Sequence, residues 1–242
     1  MTTPAARAET PVPAIQSVER AARMLGLFTV EEPQLTLGDL TARMGMSKAT
    51  VHRYATALRN AGLLRLHDGL YTLGPRVVEL ASAALEGLAV VRVAGPYLDR
   101  LVSDTGETAV LSVWDGEAPV VVRVHDNTSK LVRIIVATGS RLPLDSAQGQ
   151  VFGAFLERDN GSPAMETVRE QRLAQNAAVV DGIAALAAPV FQGAEITATI
   201  ALVGTTASIE TSAEGSMASA LRAAADNLST ELGFVEHERR EP

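Results

Sequence analysis

Apolar residues recur at helical spacing through the first hundred positions of the chain. The first stripe follows Ser17, a residue suited to the N-cap of a helix, and consists of Val18, Ala22, Leu25 and Phe28. An acidic pair, Glu31 and Glu32, then precedes Pro33. Because the residue before a proline is disfavoured in the helical region, this segment predicts the end of the first helix.

Two short helices are predicted next. Thr36 and Asp39 form a capping-box pattern, and Gly45 suits the left-handed position that ends a short helix. Ser47 is predicted to cap a third helix that Gly62 ends. The apolar stripe of that helix is Val51, Tyr54, Ala55 and Leu58. Two short helices joined by a tight turn containing glycine predict a helix-turn-helix.

A β-hairpin is predicted directly after the third helix. Leu63–Leu66 and Leu70–Leu73 are short strand-like runs, and between them stands His67 with the turn dipeptide Asp68-Gly69. A helix-turn-helix followed by a hairpin predicts a winged helix, in which residues 15–76 form one domain.

After the break at Gly74 and Pro75, six apolar residues again recur at helical spacing. They are Val77, Leu80, Ala81, Ala84, Leu85 and Leu88. The stripe predicts a linker helix over residues 77–92, which is either a core helix or a dimer seam. Since a small domain cannot cover so many apolar positions, the dimer seam is favoured. A further helix is predicted from Tyr97 to Thr105, with Gly106 ending it.

From Thr108 onward the pattern changes to short β-rich runs separated by turn residues. The predicted strands are Ala109–Trp114, Ala118–His125, Leu131–Ala137, Leu186–Phe191 and Ile196–Val203. After a loop over residues 139–149, the predicted helices are Val151–Leu156, Met165–Leu173 and Ser212–Leu232. Strands paired as hairpins with helices on one side predict an α+β sensor domain over residues 93–242, with a mainly antiparallel sheet. Residues 1–14 are predicted to be a flexible tail.

Composition narrows the chemistry. The 242 residues include no cysteine and four histidines, and no histidine pair stands at metal-ligand spacing. No apolar run is long enough to cross a membrane and no apolar signal-peptide core is present, so we expect a cytoplasmic protein with no metal and no cofactor.

No catalytic motif is recognisable. Asp145 and Ser146 suit helix capping better than a catalytic role, although the nucleophile or acid reading stays open. His125 and Asp126 are adjacent on a predicted strand and therefore point to opposite faces, which weakens a general-base pair. Glu107, Asp115 and Glu117 are predicted to be surface charges at strand ends. We expect no enzyme activity.

The charge of the chain is unevenly distributed. The whole chain carries −7, yet residues 1–76 hold nine basic and six acidic residues. A basic first domain on an acidic body suggests that this domain alone meets a polyanion, although an excess this modest also arises by chance. The candidate DNA contacts are Ser47, Lys48, Thr50, His52 and Arg53 on the third helix and Arg65 and His67 on the wing. A solvated helix face is the competing interpretation of the same side chains.

Several short segments, in their order and spacing, resemble the IclR family of bacterial transcriptional regulators over residues 17–233. They are the start of the first helix from Gln16, the helix-turn-helix Leu40–Arg53, the end of the wing Tyr71–Arg76, the segment Thr105–Thr108 and the strand Ala187–Val190. The resemblance implies a winged-helix homodimer on palindromic double-stranded DNA and a GAF-like or profilin-like domain that binds a small organic effector. Such regulators, often repressors, control catabolic operons, and many assemble as dimers of dimers.

The same resemblance places the effector contacts at Arg133, Leu142, Ser146, Ala147, Gln148, Gly149, Gln175, Ala185, Ala201 and Val203. The chain departs from the family pattern over Asp145–Gln150, and it has Ala185 for a cysteine, Gln175 for an acid, and Ala201 and Val203 for serines. Fewer polar groups favour an apolar or aromatic effector over a compact organic acid. Arg133 is either a counter-charge or solvent-exposed, and a pocket filled by its own side chains is the alternative.

The competing class is a small-molecule sensor or enzyme whose N-terminal domain only mediates protein contacts. Salt-dependent binding to an adjacent operator favours the regulator, whereas turnover of a metabolite without DNA favours the alternative.

Overall fold

The structure, a computed structural model, describes residues 15–128, 130, 134–156, 162–176 and 180–234. The chain forms two compact units that divide between Ala81 and Ser82. The predicted tail, residues 1–14, lies outside the described residues. Within the described ranges, no helix combines the length and the apolar character needed to cross a membrane.

The first unit contains a three-helix core and a three-stranded sheet. Its elements are α1 (Gln16–Leu25), β1 (Leu35–Thr36), α2 (Leu37–Met44), α3 (Lys48–Asn60), β2 (Leu64–His67) and β3 (Leu70–Leu73), followed by α4 (Pro75–Gly87), which crosses the division between the units. The sheet order is β1-β3-β2 with antiparallel pairing. This arrangement confirms the predicted winged helix-turn-helix.

Local capping explains why α2 and α3 begin where they do. The Thr36 amide donates to Asp39 Oδ2 at 2.8 Å while Thr36 Oγ1 accepts from the Asp39 amide at 3.1 Å, which completes a capping box. Gly45 has φ 64°, the left-handed conformation that ends α2. Ser47 Oγ accepts from the Thr50 amide at 3.3 Å and caps α3. The helix-turn-helix is therefore specified locally.

The first helix differs from its prediction at both ends. It begins at Gln16 with Ile15 at the N-cap and no side-chain cap, so Ser17 does not cap it. It ends at Leu25, and Phe28 reaches the core from the following turn, where its amide donates to the Leu25 carbonyl. Val18, predicted on the apolar stripe, is exposed.

The wing turn matches the sequence signal. Asp68 and Gly69 have φ values of 50° and 80°, the pair of positive angles that a type I′ turn requires. This turn sets the register His67↔Leu70. The buried core of the unit comprises Met24, Phe28, Leu35, Leu40, Met44, Val51, Ala55, Leu58, Leu64 and Tyr71.

The second unit is built on a five-stranded antiparallel sheet of order β5-β4-β8-β7-β6, which confirms the predicted α+β class. Its strands are β4 (Thr108–Trp114), β5 (Pro119–His125), β6 (Ala174–Asn176), β7 (Ile183–Gln192) and β8 (Glu195–Thr205). Its helices are α5 (Ala89–Val93), α6 (Gly95–Thr105), α7 (Ala147–Phe155), α8 (Pro163–Gln171) and α9 (Ser216–Glu231).

Helices cover both faces of this sheet, so the expectation of helices on one side is wrong. One face packs Leu111, Leu186 and Ile200 against α6 and α9. The other packs Val110, Ala187 and Ala201 against α7 and α8; we call this second apolar cluster the α7-side cluster. The nearly continuous burial along β7 and β8 follows from this coverage.

Three other predictions change in the second unit. The predicted strand Leu131–Ala137 lies partly outside the described residues, and its described part, residues 134–137, is not a strand. The predicted loop is shorter, because α7 starts at Ala147. The linker helix ends at Gly87 and a separate helix, α5, follows Leu88.

Candidate functional site

The N-terminal half of α3 presents a polar and basic surface. Lys48, His52 and Arg53 are exposed, whereas Val51 and Ala55 on the opposite side are buried in the core. Alternation of buried and exposed positions at helical spacing fixes which side faces outward. The structure therefore brings the three predicted cationic or hydrogen-bonding side chains onto one outward surface.

Ser47 and Thr50 are held together at the start of α3. Their hydroxyl oxygens lie 2.9 Å apart, and the Ser47 hydroxyl also caps the helix. Ser47 therefore fixes the start of α3, and its hydroxyl already contacts the hydroxyl and the amide of Thr50. The positive end of the helix dipole lies at the same place and favours a bound anion.

An open groove with a volume of about 710 Å³ is lined by residues of α1 and α3. Its lining is Ser17, Arg20, Thr50, His52, Arg53, Tyr54, Thr56, Ala57 and Asn60. Arg20 and Asn60 were not among the predicted contact residues, because nothing in the local sequence indicates that α1 packs beside the exposed side of α3.

The wing carries its two predicted residues at the surface. Arg65 and His67 are both exposed on β2. His67 Nε2 lies 3.2 Å from Asp68 Oδ2 at the turn. The wing therefore offers one cationic side chain, Arg65, beside a histidine and aspartate pair.

In the second unit, five predicted effector residues meet in the α7-side cluster. Ala201 and Val203 are buried on β8, and Ala185 pairs with Val203 on the neighbouring strand. Ala147 from α7 and Leu142 from the preceding loop pack on the same face. The shared surface is apolar, as expected from the alanine and valine substitutions.

The start of α7 forms the polar edge of this surface. Ser146 Oγ accepts from the Gly149 amide at 3.1 Å and donates to the Pro143 carbonyl at 2.6 Å, which confirms the capping interpretation. A Cβ atom on Gly149 would lie 2.4 Å from the Leu144 carbonyl oxygen, so only glycine fits there. Gln148 is 3% exposed.

Gln175 is not brought to this cluster. It lies on β6 opposite Leu186 and is exposed, whereas its neighbours Ala174 and Asn176 have the opposite orientation. Asn176 pairs with Ala185, and its amide donates to the Asp145 carbonyl just before α7. The residue of β6 that lies beside the start of α7 is therefore Asn176, one position after the predicted Gln175. Arg133 lies outside the described residues.

A small polar cavity of about 250 Å³ lies at one end of β4 and β8. Glu107, predicted to be a surface charge, is 5% exposed and forms an ion pair with Lys130. Thr108 Oγ1 donates to Asp126 Oδ1 at 3.2 Å. The prediction failed for Glu107 because its partner comes from a loop more than twenty residues later in the chain.

The other predicted strand-end charges have surface partners. Asp115 contacts Arg141 Nε at 2.7 Å, and Glu117 contacts Arg141 Nη2 at 2.9 Å. Burial raises the pKa of Asp115, but hydrogen bonds from Arg141 and the backbone amides of Ala118 and Glu117 outweigh it and lower the pKa to about 2. His125 contacts Asp99 Oδ1 at 2.5 Å across the sheet edge, so its ring faces α6 rather than Asp126.

The chain thus combines a winged helix-turn-helix, which exposes basic side chains on α3, with an antiparallel α+β unit that contains the α7-side cluster. This combination is typical of DNA-binding proteins with a second, regulatory domain. Two family models match the chain: the IclR helix-turn-helix domain over residues 17–68 and the bacterial transcriptional regulator IclR C-terminal domain over residues 82–181. The chain belongs to the IclR family of bacterial transcriptional regulators.

Individual relatives agree with this assignment. The HTH-type transcriptional regulator XynR of Escherichia coli strain K12 is 33% identical over 149 residues, which cover 60% of this chain and 58% of XynR. The match thus spans little more than half of that relative.

Solved structures share the fold. An IclR transcriptional regulator from Alicyclobacillus acidocaldarius has a TM-score of 0.75 at 24% identity, covering 91% of this chain and all of that one (100%). An IclR homologue from Microbacterium hydrocarbonoxydans, solved in complex with 4-hydroxybenzoate, has a TM-score of 0.68 at 20% identity and covers 90% of this chain and 99% of its own.

Proposed function

We propose that this protein is an effector-responsive transcriptional regulator that represses a catabolic operon by binding its operator. The observation that carries the proposal is the capped helix α3, which presents Lys48, His52 and Arg53 outward in a winged helix-turn-helix. Binding of a small organic molecule to the second unit changes the affinity for the operator.

The chemistry of α3 suits base edges and phosphates. Arginine pairs with guanine through two hydrogen bonds, and lysine donates to the same acceptors or to phosphate. Thr50 and His52 add further hydrogen-bonding groups. Arg65 and His67 of the wing lie on an exposed strand, from which they contact the backbone or the minor groove.

A homodimer on a palindromic operator is the proposed assembly. None of the residues of α4 is buried within the described chain, and Val78 and Leu80 are 67% and 54% exposed. Covering these side chains with a second copy removes apolar surface from water. Two copies of α3 then meet half-sites about one helical turn, roughly 34–36 Å, apart.

An apolar or aromatic effector is proposed for the α7-side cluster. The support is chemical: Ala185, Ala201 and Val203 provide methyl groups where hydroxyl or thiol groups stand in the family pattern. The Microbacterium homologue bound to the aromatic acid 4-hydroxybenzoate agrees with a ring-sized site on this fold. Ser146, Gln148 and the start of α7 supply the polar contacts at its edge.

The test is an electrophoretic mobility-shift titration of the full chain on the DNA upstream of its own gene and of its neighbours. We expect saturable binding to one fragment, with log K falling linearly as log salt rises. Equal binding to all fragments, or no binding at low salt, contradicts the proposal.

A further inference from the structure

Two hydroxyl groups in the centre of the second unit are buried without a partner among the described residues. Ser112 on β4 and Thr199 on β8 are both 0% exposed and stand opposite each other as Cα partners. Neither Ser112 Oγ nor Thr199 Oγ1 has a hydrogen-bond partner in the part of the chain that the structure describes. Because burial of an unsatisfied hydroxyl is unfavourable and rare, this pair calls for a physical explanation.

The pair lies on the sheet face that carries the proposed effector site. The register Val110↔Ala201 precedes the register Ser112↔Thr199 by two residues on β4, so all four side chains point to the same face. That face is covered by α7, as shown by the Trp114 and Phe152 rings, whose centroids are 5.3 Å apart. Ser112 and Thr199 therefore lie on the same sheet face as Ala201, in the next pair of side chains along that face.

A buried amide stands on the same side of α7. Gln148 precedes Phe152 by one helical turn and is 3% exposed. The α7-side cluster supplies apolar side chains around this amide, among them Val110, Val121 and Val151. Such a lining suits an apolar ring that carries a neutral hydrogen-bonding group.

We propose that Ser112 and Thr199, with Gln148 on the covering helix α7, form a polar subsite that binds a neutral hydroxyl group on a ring-shaped effector. A hydroxyl both donates and accepts, and so satisfies two side-chain hydroxyls at once. A carboxylate in the same place is disfavoured, because it loses hydration and none of the three side chains of the subsite carries a positive charge. The subsite rests on the effector site proposed above and specifies the class of ligand, a phenol or cyclic alcohol.

The experiment compares three probes that differ in one group: 4-methylphenol, toluene and 4-methylbenzoate. Dissociation constants for the full chain are measured by ligand-observed NMR titration without DNA. We expect the wild-type protein to bind 4-methylphenol at least about five-fold more tightly than toluene, the factor that one neutral hydrogen bond provides. Binding of 4-methylbenzoate is expected to be the weakest of the three.

Substitutions assign the preference to the two residues. Ser112→Ala and Thr199→Val are each expected to reduce the ratio of 4-methylphenol to toluene affinity about five-fold, while Thr199→Ser retains it. Both deletions are expected to keep or raise the midpoint of thermal unfolding, because they remove an unsatisfied buried hydroxyl. A purely structural role, such as a bridge to a buried water, predicts the reverse: lower stability and an unchanged ratio.

Ser229→Ala is the matched control. Ser229 is as deeply buried, but its hydroxyl accepts from the Phe191 amide and donates to the Ala225 carbonyl. Its loss is expected to lower stability without changing the affinity ratio.

The proposed subsite is contradicted if no probe binds the wild-type protein or if 4-methylbenzoate binds most tightly. It is also contradicted if Ser112→Ala and Thr199→Val both leave the ratio of 4-methylphenol to toluene affinity unchanged. Failure of operator binding with the preference intact contradicts only the proposed regulator.

Discussion

A Cβ atom placed on Gly204 would lie 2.4 Å from Glu107 Oε2. Gly204 is therefore the residue that leaves room for the buried carboxylate and for its ion pair with Lys130. We expect Gly204→Ala to displace the Glu107 carboxylate and to lower the free energy of unfolding by about 2–3 kcal/mol, the range for disturbing a buried paired charge. Urea unfolding of the full chain measures this change.

Gly87→Ala is the control for that substitution. A Cβ atom on Gly87 would meet no atom of the described residues within 4 Å, and alanine is the better helix former. Equal stability of the Gly204→Ala and Gly87→Ala variants would show that Glu107 moves aside without cost.

Substitutions on α3 are expected to weaken operator binding without unfolding the protein. Arg53→Ala should cost roughly 1–3 kcal/mol if its guanidinium contacts a base, and Lys48→Ala should lower the salt slope by about one if its ammonium contacts a phosphate. Gel-shift titrations at several salt concentrations measure both, and circular dichroism checks folding. Arg100→Ala, on an exposed arginine of the second unit, is the matched control. Affinities of both α3 variants equal to that of the wild type would remove these residues from the interface.

Charge placed on the apolar side of α4 is expected to dissociate the proposed dimer. Leu80→Asp puts a carboxylate where the dimer buries a leucine, and the unpaired charge disfavours association. Sedimentation equilibrium at micromolar concentration should show a dimer for the wild type and a larger monomer fraction for this variant. Glu86→Lys, at an exposed position on the side of the same helix away from the apolar stripe, should leave the dimer intact. A wild-type monomer, or identical behaviour of Leu80→Asp and the wild type, argues against this seam.

The composition of the effector site predicts selectivity between ligand classes. A thermal-shift screen should show stabilisation by aromatic and terpenoid-like compounds, because their hydrocarbon surface is buried against Ala185, Ala201 and Val203. Glyoxylate and pyruvate should have little effect, since each leaves polar atoms without partners there. Ala201→Ser restores one hydroxyl and should shift the response toward the small acids. Stabilisation by pyruvate alone would mean that the residues transferred from the family pattern do not line the site.

Local signals in the sequence accounted for most of the first unit. The capping pair Thr36 and Asp39, the left-handed Gly45 and the Asp68-Gly69 turn each act within four residues, so their structure follows from their spacing. The two-residue strand β1 was missed because its only signal is pairing with β3, more than thirty residues later.

Several features of the second unit could not be predicted from local sequence, because they depend on contacts between residues far apart in the chain. Coverage of both sheet faces depends on the packing of α7, which its own sequence does not indicate. The burial of Glu107 depends on Lys130. The exposure of Gln175 depends on the register between β6 and β7, which sets Asn176 opposite Ala185 and Gln175 opposite Leu186. The position of the Thr199 hydroxyl opposite Ser112, where no described residue pairs with it, depends on the register between β4 and β8.

The wing turn has an electrostatic consequence for the proposed regulator. At neutral pH the negative charge of Asp68 offsets the positive charge of Arg65, so the wing approaches DNA with almost no net charge. In the proposed complex, release of counterions from the duplex is then expected to come mainly from the α3 surface and the groove beside it, through Lys48, Arg53 and Arg20. If α3 reads the operator as proposed, the same helix is therefore expected to hold the protein on unrelated DNA as well. A substitution on α3 that increases specificity for the operator is therefore also expected to change the residence time of the protein on non-specific DNA.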